Sequence, residues 1–473
     1  MAHARSLALR SAFLSGVGSC VISLAPVALA DEPLADGLPA ERGTADQVEV
    51  RPPLTGAIPV APLGIPASPA AVDKVPGTGA LGRWLGLPAN SPWRLGGVWV
   101  GNGVEQLGGG SLNPGGLGLA QQFLLDFALD LDRSVGWQGA SVWVQGLQIN
   151  ANKTAAKASG SLQGSNSLVA PDPLDRTELY TYGLSQFLFD QQVRLLVGKL
   201  APSNDFANIV VPVDERFGST YWIPGISSLT YTPLYAMPSL LGRLPGYPNS
   251  ALGASLLVQP SAFNRDVYLK VGLFDGRGGA ENVQTGLTAP SLAGPLFSIG
   301  EIGGSWSLGR LQKPGAASFG LWHQGGPLGC NGKGQSCTEA SAAGGYLLAQ
   351  QRLFDFRYPL DNSGISTFFQ AGWSPSSTNL FTTSIGGGFT MFAPMRSRPR
   401  DSYGVGLAWA RINERGPFGT FSNPAELMLQ VYGQIHLVSN IYLTPSFTVL
   451  PRVGLKDATA PSTSALLQLV ALF

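Results

Sequence analysis

The sequence predicts an all-β fold: a transmembrane antiparallel β-barrel of about 16 strands, preceded by a Pro-rich N-terminal segment. Three observations predict it. Only 12% of the residues are charged while 62 of 473 are glycine, and a soluble domain of ordinary composition carries roughly twice that share of charge. Beyond residue 30 no apolar run reaches the length of about 18 residues that a membrane helix needs. The apolar residues are instead dispersed with a period of two, which in a barrel separates a lipid-facing from a lumen-facing side.

The N-terminus sets the compartment. Arg5 and Arg10 are followed by an apolar run and by Ala28-Leu29-Ala30 ahead of Asp31, the pattern of a secretory signal peptide over residues 1–30. Cys20 offers a lipoprotein site as the weaker alternative, because the apolar run continues past it. Residues 31–92 are dense in proline, which defeats helix and sheet alike and predicts an extended periplasmic linker. Within it "ALGRWLGL" has the pattern of a short amphipathic turn.

Residues 93–473 are expected to form the barrel. Four segments alternate cleanly. In "QQFLLDFALDLD" Phe123, Leu125, Phe127, Leu129 and Leu131 oppose Gln122, Asp126, Asp130 and Asp132. In "RDVYLKVGLF" Val267, Leu269, Val271 and Leu273 oppose Asp266, Tyr268 and Lys270. "ELMLQVYGQIHL" and "NIYLTPSFTV" repeat the pattern, with Glu426, Gln430 and Tyr432 on one polar face and Thr444, Ser446 and Thr448 on the other. Weaker segments complete a set of strands centred near residues 99, 125, 145, 183, 196, 255, 270, 303, 320, 348, 369, 387, 407, 432, 445 and 469. Short links such as "DRSVGWQ" and "FDQQ" alternate with long ones, above all 151–176 and 201–249. That is the layout of an outer-membrane barrel. The apolar "LLQLVALF" at residues 466–473 then pairs with the strand near "GGVWVG", leaving no free edge. Leu467, Leu469, Ala471 and Phe473 are expected to face lipid, although the inner side holds only Gln468 as a strongly polar residue.

A net charge of +1 excludes a nucleic-acid partner, which requires a strong basic field. Of three cysteines, Cys20 leaves with the signal, and Cys330 and Cys337 share the loop "GCNGKGQSC". In an exported protein this predicts a disulfide. A zinc site would need two further ligands, and only His323 is close in sequence.

The stretch "ELYTYGLSQFLFDQQVRLLVGKLAPSNDF", residues 178–206, resembles the hallmark segment of the carbohydrate-selective outer-membrane porins, the OprB-type family. Glu178-Leu179, Gln186, Gly198-Lys199 and Phe206 match it. The segment "AELMLQVYGQIHLVSNIYLTPSFTVLPRVG" resembles the family's last hairpin through Glu426, Tyr432, Pro445 and Pro451. Ser446 and Thr448 stand where that family often has an acid and a glutamine. The resemblance spans roughly residues 93–473 and implies a 16-strand barrel that passes sugars or similar small polar solutes by passive diffusion. It also implies residence in the bacterial outer membrane, contact with its lipid, and recognition of Phe473 by the assembly machinery. Monomer and homotrimer both stay open.

A porin needs no covalent chemistry, and no enzyme activity or cofactor is expected. Sugars offer hydroxyls to polar groups and C–H faces to aromatic rings. The long loop after residue 200 supplies Asp205, Phe206, Asp214, Glu215, Arg216, Phe217, Tyr221 and Trp222. It forms either the constriction or a rigid surface loop. Lumen-parity charges form a second candidate set: Asp126, Asp130, Glu178, Lys199, Lys270 and Glu426. The alternative role for each is a wall network of ion pairs. Arg194 and Lys199 lie on opposite parities of one strand, so one sits at an interface or a bulge breaks the register. Trp99, Trp143, Trp373, Tyr403 and Trp409 are expected in the interfacial girdle. The rival functions are a general or anion-selective porin and, with less support, an outer-membrane enzyme. Beyond the signal only His323 and His436 could act as a base, and no nucleophile motif accompanies them.

The cysteine reading is tested directly by thiol labelling. The denatured, unreduced protein is expected to show no free thiol, whereas two labelled thiols return Cys330 and Cys337 to the metal alternative.

Overall fold

The computed structural model describes residues 70, 79–88, 90–111, 116–152, 159–166, 168, 175–210, 225–230, 244–263, 266–276, 292, 294–311, 313–326, 341–358, 360–374, 380–413, 421, 423–454 and 458–473. Sixteen strands follow one another: β1 Trp93–Gly110, β2 Leu117–Asp130, β3 Ala140–Ala151, β4 Arg176–Leu188, β5 Val193–Leu200, β6 Ala251–Val258, β7 Val267–Asp275 and β8 Leu296–Leu308. Then come β9 Lys313–Gln324, β10 Ala342–Asp355, β11 Gly364–Trp373, β12 Phe381–Phe392, β13 Ser402–Ile412, β14 Ala425–Val438, β15 Ile441–Arg452 and β16 Thr459–Leu472. Each pairs with the next and β16 returns to β1, closing an antiparallel barrel. Every predicted strand centre lies inside one of them.

The alternation sets the two faces. Along β7, Val267, Leu269, Val271 and Leu273 stay 38–49% exposed on the outer surface while Tyr268, Lys270 and Phe274 are buried within. At about 25 cal/mol per Å² such rows are costly in water, and a lipid environment removes that cost. The outer face of β2 behaves in the same way, with Leu119 and Leu125 exposed and Gln122, Asp126 and Asp130 turned inward.

Closure involves the last residue. The Gly97 N–H donates to the Phe473 carbonyl at 2.7 Å and the Phe473 N–H donates to the Gly97 carbonyl at 2.9 Å, extending the ladder that pairs Val98 with Leu472. The Phe473 ring stacks on Phe123 with centroids 5.6 Å apart. A Cβ at Gly97 would lie 2.5 Å from that ring and 2.4 Å from the Leu124 carbonyl oxygen, so glycine is required by close approach. The weakly polar inner side of β16 is also explained. Val470 and Leu472 pack into an apolar cluster with Val98, Val100, Leu124 and Ile149, joined by Leu168 from the loop after β3.

Three details depart from simple alternation. β2 stops at Asp130, and Leu131 and Asp132 belong to a short helix, α2 Leu131–Val135. Asp130 Oδ1 accepts from the N–H groups of Asp132 (3.0 Å) and Arg133 (3.2 Å), an N-cap that competes with a further strand residue. In β4 the register against β3 shifts around Tyr180, so Glu178 and Tyr180 point inward, and then Thr181 and Ser185 do. At the same height β5 changes side at Gly198, whose φ is 154° and whose added Cβ would meet the Tyr182 carbonyl oxygen at 2.1 Å. Arg194 and Lys199 therefore both face the lumen. Trp143 also points inward, packed beside Leu196 and donating to Thr181 Oγ1 at 3.3 Å, so it is not a girdle residue.

Ahead of the barrel, "ALGRW" forms a helix, α1 Ala80–Trp84. Ala70 is buried against Phe392, and its carbonyl accepts from Gln434 Nε2 at 2.8 Å.

Replacing Gly97 by Leu is expected to overpack the seam by on the order of 1–3 kcal/mol and to lower the heat-modifiable folded fraction on cold gels. Gly103→Ala, with only a Leu119 methyl at 4.0 Å, is the control and should fold as the parent does.

Candidate permeation path and its wall

Between β5 and β6 the described residues 201–210, 225–230 and 244–250 lie against the inner wall. Three groups of contacts fix this loop. Near its start, Asp205 accepts from Arg194 Nη2 of β5 at 2.5 Å and from Ser255 of β6. Lys270 Nζ of β7 donates to the Asp205 carbonyl at 2.6 Å, and Glu301 of β8 accepts the Ala207 N–H at 2.7 Å. Residues 225–230 lie against the opposite strands. Thr390 of β12 donates to the Gly225 carbonyl at 2.7 Å, and the Tyr432 oxygen of β14 accepts from Ser227 N and Oγ at 3.3 and 3.1 Å. Gln430 accepts the Thr230 N–H at 2.7 Å, while Ser228 and Thr230 bond the hydroxyls of Thr444 and Ser446 on β15 at 3.2 Å. Residues 247–250 then reach β2 and β4. Tyr247 donates to Gln122, Ser250 Oγ donates to the Tyr180 carbonyl, and Arg176 donates to Asn249 Oδ1 (3.0 Å) and the Pro248 carbonyl (2.8 Å). Burial pushes the Tyr247 hydroxyl above its ordinary value, so it remains a donor. The described segments of the loop thus lie inside the barrel and not on its outer surface.

Residues 159–166, from the loop joining β3 and β4, also lie on the inner wall. Asn166 Oδ1 accepts from Asn102 Nδ2 of β1 at 2.6 Å, and the Ser159 carbonyl accepts from Ser462 Oγ of β16 at 2.8 Å. Glu426 of β14 accepts the Leu162 and Gln163 N–H groups at 2.8 and 3.1 Å.

The predicted site residues occupy this scaffold as follows. Asp126 pairs with Arg94 at 3.2 Å, and Asp130 caps α2. Glu178 sits between Arg176 (3.3 Å) and Lys199 (3.6 Å), and Lys199 also donates to the Leu179 carbonyl at 2.6 Å. Glu178 and Lys199 are 5% and 2% exposed, which leaves little surface for a solute. Lys270 pairs with Glu301 at 3.5 Å. Phe206 is fully buried edge-on to Phe274, with centroids 6.4 Å apart. Arg216, Trp222, Cys330 and Cys337 lie outside the described residues. Four groups escaped the sequence reading: Arg176, Tyr247, Glu301 and Tyr432 as a loop anchor. Glu301 carried a signal, as the one acid on the inner parity of the apolar stretch "FSIGEIGG". It receives the hydroxyls of Tyr268 and Tyr346 at 2.8 and 2.6 Å. The His436 ring nitrogen meets the Ser439 carbonyl at 2.8 Å.

A closed antiparallel barrel with an apolar outer surface, a polar inner wall and inward-folded long loops is an outer-membrane porin. The chain belongs to the OprB family of carbohydrate-selective porins, whose family model matches residues 115–454. In fold it is similar to Pseudomonas putida OprB at high pH, with a TM-score of 0.65 and 17% identity over 81% of this chain and 94% of that one. The outer membrane channel DcaP of Acinetobacter baumannii is also similar, with a TM-score of 0.45 and 10% identity over 80% of this chain and 97% of that one. No curated protein matches the chain in sequence. The protein is thus a carbohydrate porin of the bacterial outer membrane, in contact with its lipid and with small solutes.

The Arg176–Glu178–Lys199 cluster is open to a charge-reversal test. Lys199→Glu places two acids in a buried site and should lower the melting midpoint in detergent, by about 3–5 kcal/mol of stability. Reversal potentials in a salt gradient should stay at the parent value. A shifted reversal potential at unchanged stability would move the pair into the conducting path.

Proposed function

We propose that residues 201–250 form the constriction of this porin, and that neutral sugars or similar polyols pass beside that loop by passive diffusion. One observation carries the proposal: the same loop is hydrogen-bonded to β5–β8 and to β12–β15, so anything crossing the barrel meets it. Paired charges suit a neutral solute. Arg94 with Asp126, Arg194 with Asp205 and Lys270 with Glu301 leave short-range polarity but little long-range field to attract or repel ions. Glu178 and Lys199 serve the loop indirectly, through Arg176 and residues 248–249.

The protein acts as a channel and not as an enzyme in this proposal. His436 supports it, because its ring faces a carbonyl and not a hydroxyl nucleophile. Residues 1–30 serve as the export signal and residues 31–92 as the periplasmic approach to the barrel. Phe473, placed at the closing seam, presents the terminal aromatic to the assembly machinery.

Liposome swelling tests the proposal. The parent is expected to pass monosaccharides faster than charged solutes of equal size. Tyr432→Phe, which removes the oxygen that Ser227 binds, should raise the size limit and admit longer oligosaccharides. Equal passage of neutral and charged solutes by the parent would reduce the protein to a general pore.

A further inference from the structure

We propose that Glu426 is the positioning residue of the extracellular mouth: its carboxylate latches residues 161–163 to the inner wall and so sets the width of the opening that leads to the constriction. The inference rests on the porin reading above. Glu426 is the second residue of β14, just after the long link 413–424, which places it at the rim opposite the short turns.

The latch is built from neutral donors. Oε1 accepts from Ser161 Oγ (2.6 Å), Gln163 N (3.1 Å) and Gln163 Nε2 (3.2 Å). Oε2 accepts from Leu162 N (2.8 Å) and Gly454 N (3.1 Å). These donors saturate the roughly four lone-pair sites of a carboxylate. The side chain is fully buried, and among the described residues no ion pair to it is formed. A buried charge in that position is tolerable only because the donors replace its water. Consecutive N–H groups aimed at one anion form a nest, and the nest here belongs to the loop. The Gly454 contact ties a second extracellular link, that between β15 and β16, to the same carboxylate. A Cβ at Gly454 would lie 2.6 Å from Leu162 and 3.1 Å from Glu426 Oε2, so the three groups are packed without spare room. Among the described residues this loop is also held by the single neutral hydrogen bonds of Ser159 with Ser462 and Asn166 with Asn102 and by the apolar packing of Leu162 and Leu168.

An amide cannot substitute. Both carboxylate oxygens receive backbone N–H groups, so a glutamine in either orientation sets its NH2 against a donor. Glu426→Gln and Glu426→Ala should therefore behave alike. This separates a latch from a lumen charge, for which the neutral glutamine would change ion selectivity and leave the loop in place.

The test uses the full-length protein in intact cells and in planar bilayers. With E426Q, cleavage within residues 152–175 by added protease should rise about tenfold or more for the lost charge-assisted bonds. Open-channel conductance should rise and become noisier, at an unchanged reversal potential. Parent-like cleavage and conductance with a shifted reversal potential would overturn the latch. Where E426Q does not assemble, Ser161→Ala decides, since it removes one donor and keeps the charge. Increased loop cleavage in a folded S161A barrel supports the latch, and parent-like cleavage overturns it. Failure of the porin reading would show separately, as a parent protein that passes no sugar in the swelling assay.

Discussion

The structure depends on one constraint: in hydrocarbon, each backbone N–H and C=O must find its partner within the protein. A sheet meets that requirement only by closing, and the pairing of β1 with β16 is where this chain closes. Near Phe473 the seam is made by small and apolar residues. Gly97 admits the Phe473 ring, and Leu467, Leu469 and Ala471 alternate outward beside it. With no edge left, the outer surface can be apolar along every strand without inviting aggregation.

Closure creates the second problem, a lumen too wide to select anything. Described segments of two long loops enter the barrel, and the polar inner wall holds them. Arg194, Lys270, Glu301, Glu426 and Arg176 each hold loop backbone or loop side chains. The polar wall of this porin is thus in large part a set of loop sockets. Arg94, Asp126, Glu178, Lys199, Lys270 and Glu301 are deeply buried and paired. The sockets position loop segments, among them those proposed above to line the constriction.

The barrel was legible in the sequence because alternation is a local pattern. Phe123 to Asp130 or Val267 to Phe274 can be sorted into faces without knowing any partner, and the alternation of short and long links gives the orientation. The hallmark segment around Glu178 and Lys199 pointed to the family, and both residues do meet on the inner wall. The docking of Pro248 and Asn249 on Arg176, the partner of Glu178, was not legible. Contacts of that kind join residues far apart in the chain: Gly225 with Thr390 across 165 positions, and Leu162 with Glu426 across 264. No periodicity encodes such pairs. The change of side in β4 and β5 was half legible, since Arg194 and Lys199 on opposite parities demanded an irregularity and Gly198 supplies it.

The central claim is that residues 225–230 are held inside the lumen against β12, β14 and β15, and a disulfide at that contact tests it most directly. Ser228 and Thr444 hold their hydroxyl oxygens 3.2 Å apart. Cysteines placed at both positions, in a chain with Cys330 and Cys337 changed to serine, should oxidise spontaneously during export. The assembled barrel would then show the gel shift of a closed loop and retain its conductance. Two free thiols in the folded, membrane-embedded protein would contradict it, and would return the loop to the cell surface.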